Sequence, residues 1–507
     1  MNYKDMPHSP EVEKLVDVIS RRTQATNKHF FRILTSYFLC KVAGIMRAKI
    51  KAPDIREMPI NFYGINLAPS GFGKNYSMHI LEQECIQEFR SNFLKTVFYK
   101  VADEHITEKA FEKACHNGTE LDKEKDKLKK QFDSCGGFLF SFDSATPAAL
   151  KQLRQKLLMA NCGALSFEGD EVGSNLLNNA DIFPALLELY DMGFIKQKLV
   201  KNTLENGRGD DLSGSTPTNL MLFGTPAKLF DGAKTESDFI SLLDTGYSRR
   251  CFFGYIPEAE KEISECASTT LQNLSNTNDH QVIEDFASHF GALADVANVH
   301  FIVNMDTEVT KALLEYRLHN QRLAQALPEH KSIQKAELQH RDSKVRKLAG
   351  ALAFFELSEN MTMNHLHYAI RLAEDSGDCL QAMLNQKKPY QRLADYIASE
   401  GRELTSVDIA EDLLFFKGSE ANKRQLMDMA IAYGYRNGML IKRLFKDGLE
   451  MFKGEMLEAT DINKLKVSYS NQITDGYKNV ECSLEQLKKL IKASGFHWVN
   501  HHLEDKQ

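Results

Sequence analysis

The chain has no Cys-x-x-Cys pair, and its nine cysteines stand singly between Cys40 and Cys482. An odd set without regular spacing excludes a disulfide framework, and the cysteines are expected to be reduced, in a cytoplasmic protein. Proline is sparse, 12 of 507 residues, and there is neither a low-complexity segment nor an internal repeat, which removes the fibrous and disordered classes. No apolar run reaches the roughly 20 residues that cross a bilayer, so no membrane partner is expected. The most apolar stretch, Phe30 to Met46, is interrupted by Arg32 and Lys41 and reads as a buried helix, and the opening MNYKDMPHSPEVEKL holds no apolar signal core. An excess of positive charge is missing as well: the formal net charge is -6, so any nucleic-acid contact must be confined to a local face.

What is present exceeds one core, because single cores stop growing at roughly 250 to 300 residues. Residues 11–51 read as two amphipathic helices, the second carrying a basic rim of Lys41, Arg47, Lys49 and Lys51 that faces solvent or phosphate. A strand, Ile60 to Leu67, runs into a glycine-containing loop and then a helix, Tyr76 to Phe93. Residues 104–133 are charged and fit an exposed helical hairpin. Apolar runs at Gly137–Phe142 and Gly163–Phe167 flank an amphipathic helix, Thr146–Met159, and further runs follow at Asn219–Gly224 and Cys251–Ile256. That alternation predicts a parallel, doubly wound α/β sheet. Residues 258–385 are helical in pattern, and 386–458 read as three helices and a hairpin turning at Asp447-Gly448, the order of a winged helix. The expected division is an N-terminal helical collar (1–58), a sheet domain (59–257), a helical lid (258–385), a winged helix (386–458) and a tail (459–507) with one helix, Ser483–Ala493.

The segment Ala68-Pro69-Ser70-Gly71-Phe72-Gly73-Lys74-Asn75-Tyr76 has the parts of a phosphate loop. A strand enters it, Gly71 and Gly73 permit a turn whose backbone N–H groups converge, Lys74 supplies charge for outer phosphates, and a helix starts at Asn75. Two positions depart from G-x-x-x-x-G-K-[ST]: Ala68 replaces the first glycine, and Asn75 replaces the hydroxyl residue that binds magnesium. The run GALSF is followed by Glu168-Gly169-Asp170-Glu171, which puts carboxylates at the C-terminal end of a strand, where open α/β sheets bind ligands. Asp170 or Glu168 would hold Mg2+ through water, and Glu171 would orient an attacking water. Thr225 reads as a γ-phosphate sensor or as a turn residue before Pro226. Arg249 and Arg250 precede a buried strand, as a finger reaching a neighbouring subunit's phosphate would, with Arg250 the preferred one and structural ion pairing the alternative. Lys344, Arg346 and Lys347 make either a second cationic sensor or a solvated helix face. His497, His501 and His502 flank Trp498 without a Cys or acidic partner at ligand spacing, which leaves them a weak metal set. Lys423, Arg424, Arg436, Lys442, Arg443 and Lys446 fall on the third helix and hairpin of 386–458, where winged helices meet DNA backbone or dock proteins.

Taken in order, LAPSGFGKN, FDSATPAALKQL, GALSFEGDE, NLMLFGTPAKLF, GYSRRCFF and KVRKLAGALA resemble the phage- and plasmid-encoded P-loop ATPases of the superfamily III-like (AAA+) helicase type, often found beside primases. The resemblance covers about residues 28–385. It implies an AAA+/RecA-like sheet and ATP-driven translocation on single-stranded or forked DNA as a ring, a hexamer, with ATP and Mg2+ as cofactors and a separate primase or polymerase as partner. It also implies the roles above for Lys74, Asp170, Glu171, Thr225 and Arg250. Other expectations remain beside it: a nucleotide-dependent origin-binding initiator or loader, and a degenerate ATPase serving as a replication scaffold.

Overall fold

The computed structural model describes residues 2–132, 139–173, 180–196, 214–230, 232, 234–258, 266–413, 415–446 and 448–456. They fall into two compact units that divide between Gln386 and Lys387.

Among the described residues of the first unit are seven strands: β1 (Lys49–Ala52), β2 (Ile55–Pro59), β3 (Tyr63–Leu67), β4 (Leu165–Gly169), β5 (Thr218–Gly224), β6 (Cys251–Tyr255) and β7 (Ile302–Asn304). Four of them form an all-parallel sheet in the order β4-β5-β3-β6. Every residue of β3, β5 and β6 is buried, as a parallel sheet covered on both faces requires. Residues of opposite parity on β3 reach the two layers. Asn66 donates to the Phe30 carbonyl at 2.9 Å, while the Tyr63 hydroxyl donates to the Leu186 carbonyl on the helix Phe183–Met192. The sheet is therefore α/β, with helices on both faces.

Helix α1 (Pro10–Thr23) starts on a Ser9 cap that accepts from the Val12 N–H, with Pro10 in its first turn. Helix α2 (His29–Ile45) buries every residue except Arg32, which ion-pairs with Glu13 of α1 at 2.7 Å. A helix apolar on all sides must be covered on all sides. The segment expected as a separate collar accordingly shares one core with the sheet, and so do the helices of 258–385 expected as a lid. Ser376, on the helix Met363–Leu384, accepts from the Phe253 N–H of β6 at 2.7 Å. The expected basic rim is also corrected: Lys41 is 1% exposed and Arg47 5%, and Lys49 and Lys51 lie on β1 beyond the end of the helix. Strand β1 pairs antiparallel with β2 and parallel with β7 in a second, small sheet.

Between β3 and β4 the helices Tyr99–Asn117 and Leu121–Phe132 fold back on each other at Gly118, whose φ is +65°. This is the expected hairpin, but Ala102, Ile106, Ala110 and Ala114 bury one of its faces. The helix Pro147–Ala160 is capped by Thr146, which accepts from the Ala149 N–H. Phe142 makes one parallel bridge to Phe167, in place of the expected strand Gly137–Phe142, of which Gly137 and Phe138 lie outside the described residues.

The second unit has helices Pro389–Glu400, Ser406–Asp412 and Glu420–Arg436 over an antiparallel sheet of β8 (Leu404–Thr405), β9 (Met439–Lys446) and β10 (Leu449–Met456), in the order β8-β10-β9. Its core gathers Leu393, Ile397, Leu404, Ile409, Met427 and Phe452. Asp447 and the tail, with the expected helix at Ser483–Ala493 and the histidines around Trp498, lie outside the described residues. Among the described residues no helix is long and apolar enough to cross a membrane.

Candidate functional site

Because β3 to β6 are parallel, their C-terminal ends line one edge of the sheet, with Leu67 in register with Gly224 and Tyr255. Three of the expected segments leave from that edge: the glycine loop after β3, the acidic turn after β4, and Thr225 after β5.

The loop is closed by short-range bonds. The Ala68 N–H donates to the Gly224 carbonyl at 3.1 Å, the Phe72 N–H to Pro69 at 3.3 Å, and the Ser77 N–H to Gly73 at 2.9 Å. Phe72 anchors it, stacked on Phe31 and edge-on to Phe30 of α2, while Ser70 and Gly71 remain exposed. Gly71 has φ +82° and Gly73 φ +107°, a region that side chains disfavour. At Gly73 space forbids one too, since a Cβ would meet Thr23 of α1 at 2.8 Å. Helix α3 (Lys74–His79) begins at the lysine, one residue earlier than expected, and continues into a π-helical turn, Ile80–Cys85. Asn75 and Tyr76 are exposed beside it.

The Lys74 ammonium donates to the backbone oxygen of Asp170 at 2.8 Å and lies 5.5 Å from the centre of the Phe223 ring. Among the described residues it has no carboxylate partner. Glu171 accepts from both the N–H and the hydroxyl of Thr225, at 3.3 and 3.4 Å, and Lys228 stands 3.9 Å away. Two residues proposed separately from the sequence thus form one unit. Asp170 keeps its side chain exposed.

Glu168 does not share that freedom. Its carboxylate accepts from the Tyr37 hydroxyl at 2.7 Å and from the Lys41 ammonium at 2.5 Å, and Lys41 also lies 3.8 Å from Glu82, on the helix that follows the loop. Burial, then the Glu168 charge, raises the pKa of both Tyr37 and Glu82. Glu168 is committed to a buried clamp between α2, β4 and the loop helix, in place of the metal role expected of it. The clamp escaped sequence reading; its only signal is Lys41 among the apolar residues in the second half of α2.

Arg250 stands at the N-terminal end of β6, the edge away from Lys74. The residue is 8% exposed, and its guanidinium is bonded to Asp191 at 2.8 Å and to the Gly246 carbonyl at 3.2 Å. Arg249 is the more exposed of the two and has no hydrogen-bond partner among the described residues; burial, then the Arg250 charge, lowers its pKa. Arg250 is therefore held in a structural ion pair, the alternative weighed for it.

Lys344, Arg346 and Lys347 form neither a sensor nor a solvated face, because all three are buried. Lys344 bonds to Glu337 and the Cys251 carbonyl, each at 2.8 Å, and Arg346 pairs with Asp54 at 2.6 Å. Lys347 donates to Asn61 and to the carbonyls of Pro59, Tyr190 and Asp191, and burial pulls its pKa down to about 7. They tie the helix Ser332–Phe355 to the sheet.

In the second unit most expected DNA contacts carry an acid. Lys423 pairs with Glu420 at 3.2 Å, Lys442 with Glu455 at 3.0 Å, Arg443 with Asp428 at 3.0 Å and Glu450 at 3.1 Å, and Lys446 with Glu403 at 2.7 Å. Arg424 and Arg436 are exposed without such a partner among the described residues. No protein-family model matches the chain and no curated protein matches it, so the reading of the site rests on its geometry.

Proposed function

We propose that the C-terminal edge of the sheet is a nucleoside triphosphate site and that the chain is an ATP hydrolase of the P-loop class. The observation that carries this reading is the meeting, at one edge, of a two-glycine loop, a lysine at the start of the following helix with no carboxylate partner among the described residues, and the Glu171–Thr225 pair. The loop N–H groups bind phosphate oxygens, and Lys74 exchanges the Asp170 carbonyl for an outer phosphate. Mg2+, which is held by one or two carboxylates together with substrate phosphates, would take Asp170 and the Asn75 amide oxygen and supply charge neutralisation. Glu171 orients the attacking water, and Thr225 fixes Glu171.

The wider reading is a replicative DNA helicase of a phage or mobile element, working as a hexameric ring on single-stranded DNA. Arg249 would reach the neighbour's nucleotide, and the second unit would act as a winged helix. A second reading, a degenerate ATPase serving as a replication scaffold that docks proteins, is favoured by the ion-paired cations of the second unit and by Asn75 in place of a hydroxyl residue.

Equilibrium binding of a fluorescent ATP analogue to wild type and to Lys74→Ala tests the site itself. Binding weakened at least about tenfold by Lys74→Ala supports it; equal binding by the two chains sinks it.

A further inference from the structure

At the sheet edge opposite the loop, a cavity of about 410 Å³ lies against Pro59 and Pro217, which precede β3 and β5. Five basic side chains line it, Arg47, Lys49, His105, Lys109 and His300, and among the described residues its lining includes no carboxylate. Arg47 is held rigidly by the carbonyls of Gly163, Ser215 and Leu157 at 2.7 to 2.8 Å, and has no carboxylate partner among the described residues. It is a buried cation whose hydrogen bonds are met but whose charge no carboxylate of the described residues neutralises. The acids that pair with the others, Glu57, Glu108 and Glu112, stand outside the lining with side chains 43%, 66% and 56% exposed, where water screens them.

His300 reports the resulting field. Burial, then the charges of Arg47 and Lys49, push its pKa down to about 4, and its Nε2 is buried without a partner. Arg47, Asn161 and His300, all against this cavity, have φ of 59°, 51° and 61°, a conformation non-glycine residues seldom adopt and one that clusters at binding sites.

We propose that this cavity binds a small phosphorylated ligand, through a di- or triphosphate group, at a site separate from the Lys74 loop. Its volume lies within the roughly 300 to 1,000 Å³ of small-molecule sites. Arg47 contributes fixed charge, and the Lys49 and Lys109 ammonium groups donate to phosphate oxygens. A phosphate beside His300 favours the protonated ring, whose Nε2–H then donates to it.

Calorimetric titration of the full chain with inorganic pyrophosphate tests this, in a Lys74→Ala background that removes the loop lysine. Saturable binding to Lys74→Ala is expected, weakened at least tenfold by adding Lys49→Glu and Lys109→Glu, with the melting temperature unchanged. Lys109→Ala, the milder variant, is expected to weaken binding severalfold if the double change disturbs folding. Absence of binding in Lys74→Ala, or binding indifferent to Lys109→Ala, overturns the proposal. Because Lys74 is already removed, neither outcome depends on the ATPase reading.

Discussion

The Lys74 ammonium sits 2.8 Å from the backbone oxygen of Asp170, 96 residues later in the chain, and joins the glycine loop to the acidic turn. A partly exposed bond to a carbonyl contributes only about 1 kcal/mol, so Lys74→Ala should barely alter the melting temperature. A role in charge stabilisation predicts a far larger loss of turnover, at least about 100-fold. Thermal unfolding beside a hydrolysis assay separates the two, and a large drop in melting temperature would assign Lys74 to structure instead.

Glu171 and Thr225 act as a pair. Glu171→Gln should leave nucleotide binding intact and cut turnover to a small residual rate, and Thr225→Val should lower turnover less. Residues in direct contact are not additive. The double variant should therefore be no slower than Glu171→Gln alone; an additive loss in kcat would show independent roles.

The clamp around Glu168 predicts a stability effect. Lys41→Met leaves a buried carboxylate unpaired, at a cost of about 3 to 5 kcal/mol. Adding Glu168→Gln should restore much of it, as read by thermal unfolding. If Lys41→Met is neutral, the Lys41–Glu168 pair contributes nothing net to stability.

Acid stability should track Glu337. The buried carboxyl is penalised by burial, but Arg341 and Lys344 overcome that and hold its pKa down at about 2. A depressed carboxyl stabilises the fold above its unfolded value of about 4.5, and that stability is lost as pH falls toward about 2. The full effect is on the order of 3 kcal/mol. Glu337→Gln should lower stability at pH 7 and flatten its dependence on pH between 5 and 2; an unchanged slope would contradict the assignment.

The sheet strands were legible because each is a short apolar run bounded by turn residues, and the loop because Gly71, Gly73 and Lys74 follow such a run. Strands β1, β2 and β7 were not, since three to five residues of mixed polarity carry no period. The buried lysines of α2 and of the helix Ser332–Phe355 were misread for a related reason. Lys41 finds Glu168 127 residues away, and Arg346 finds Asp54 292 residues away; periodicity sees a charge and not its distant partner. The same blindness hid the pairing of Arg250 with Asp191 and that of the cations around the β9–β10 hairpin.

Steady-state ATP hydrolysis by wild type and Lys74→Ala, each with and without single-stranded DNA, tests the central claim most directly. Turnover by the wild type is expected, stimulated by DNA and abolished by Lys74→Ala. Nucleotide binding without turnover, or turnover that survives Lys74→Ala, would contradict it.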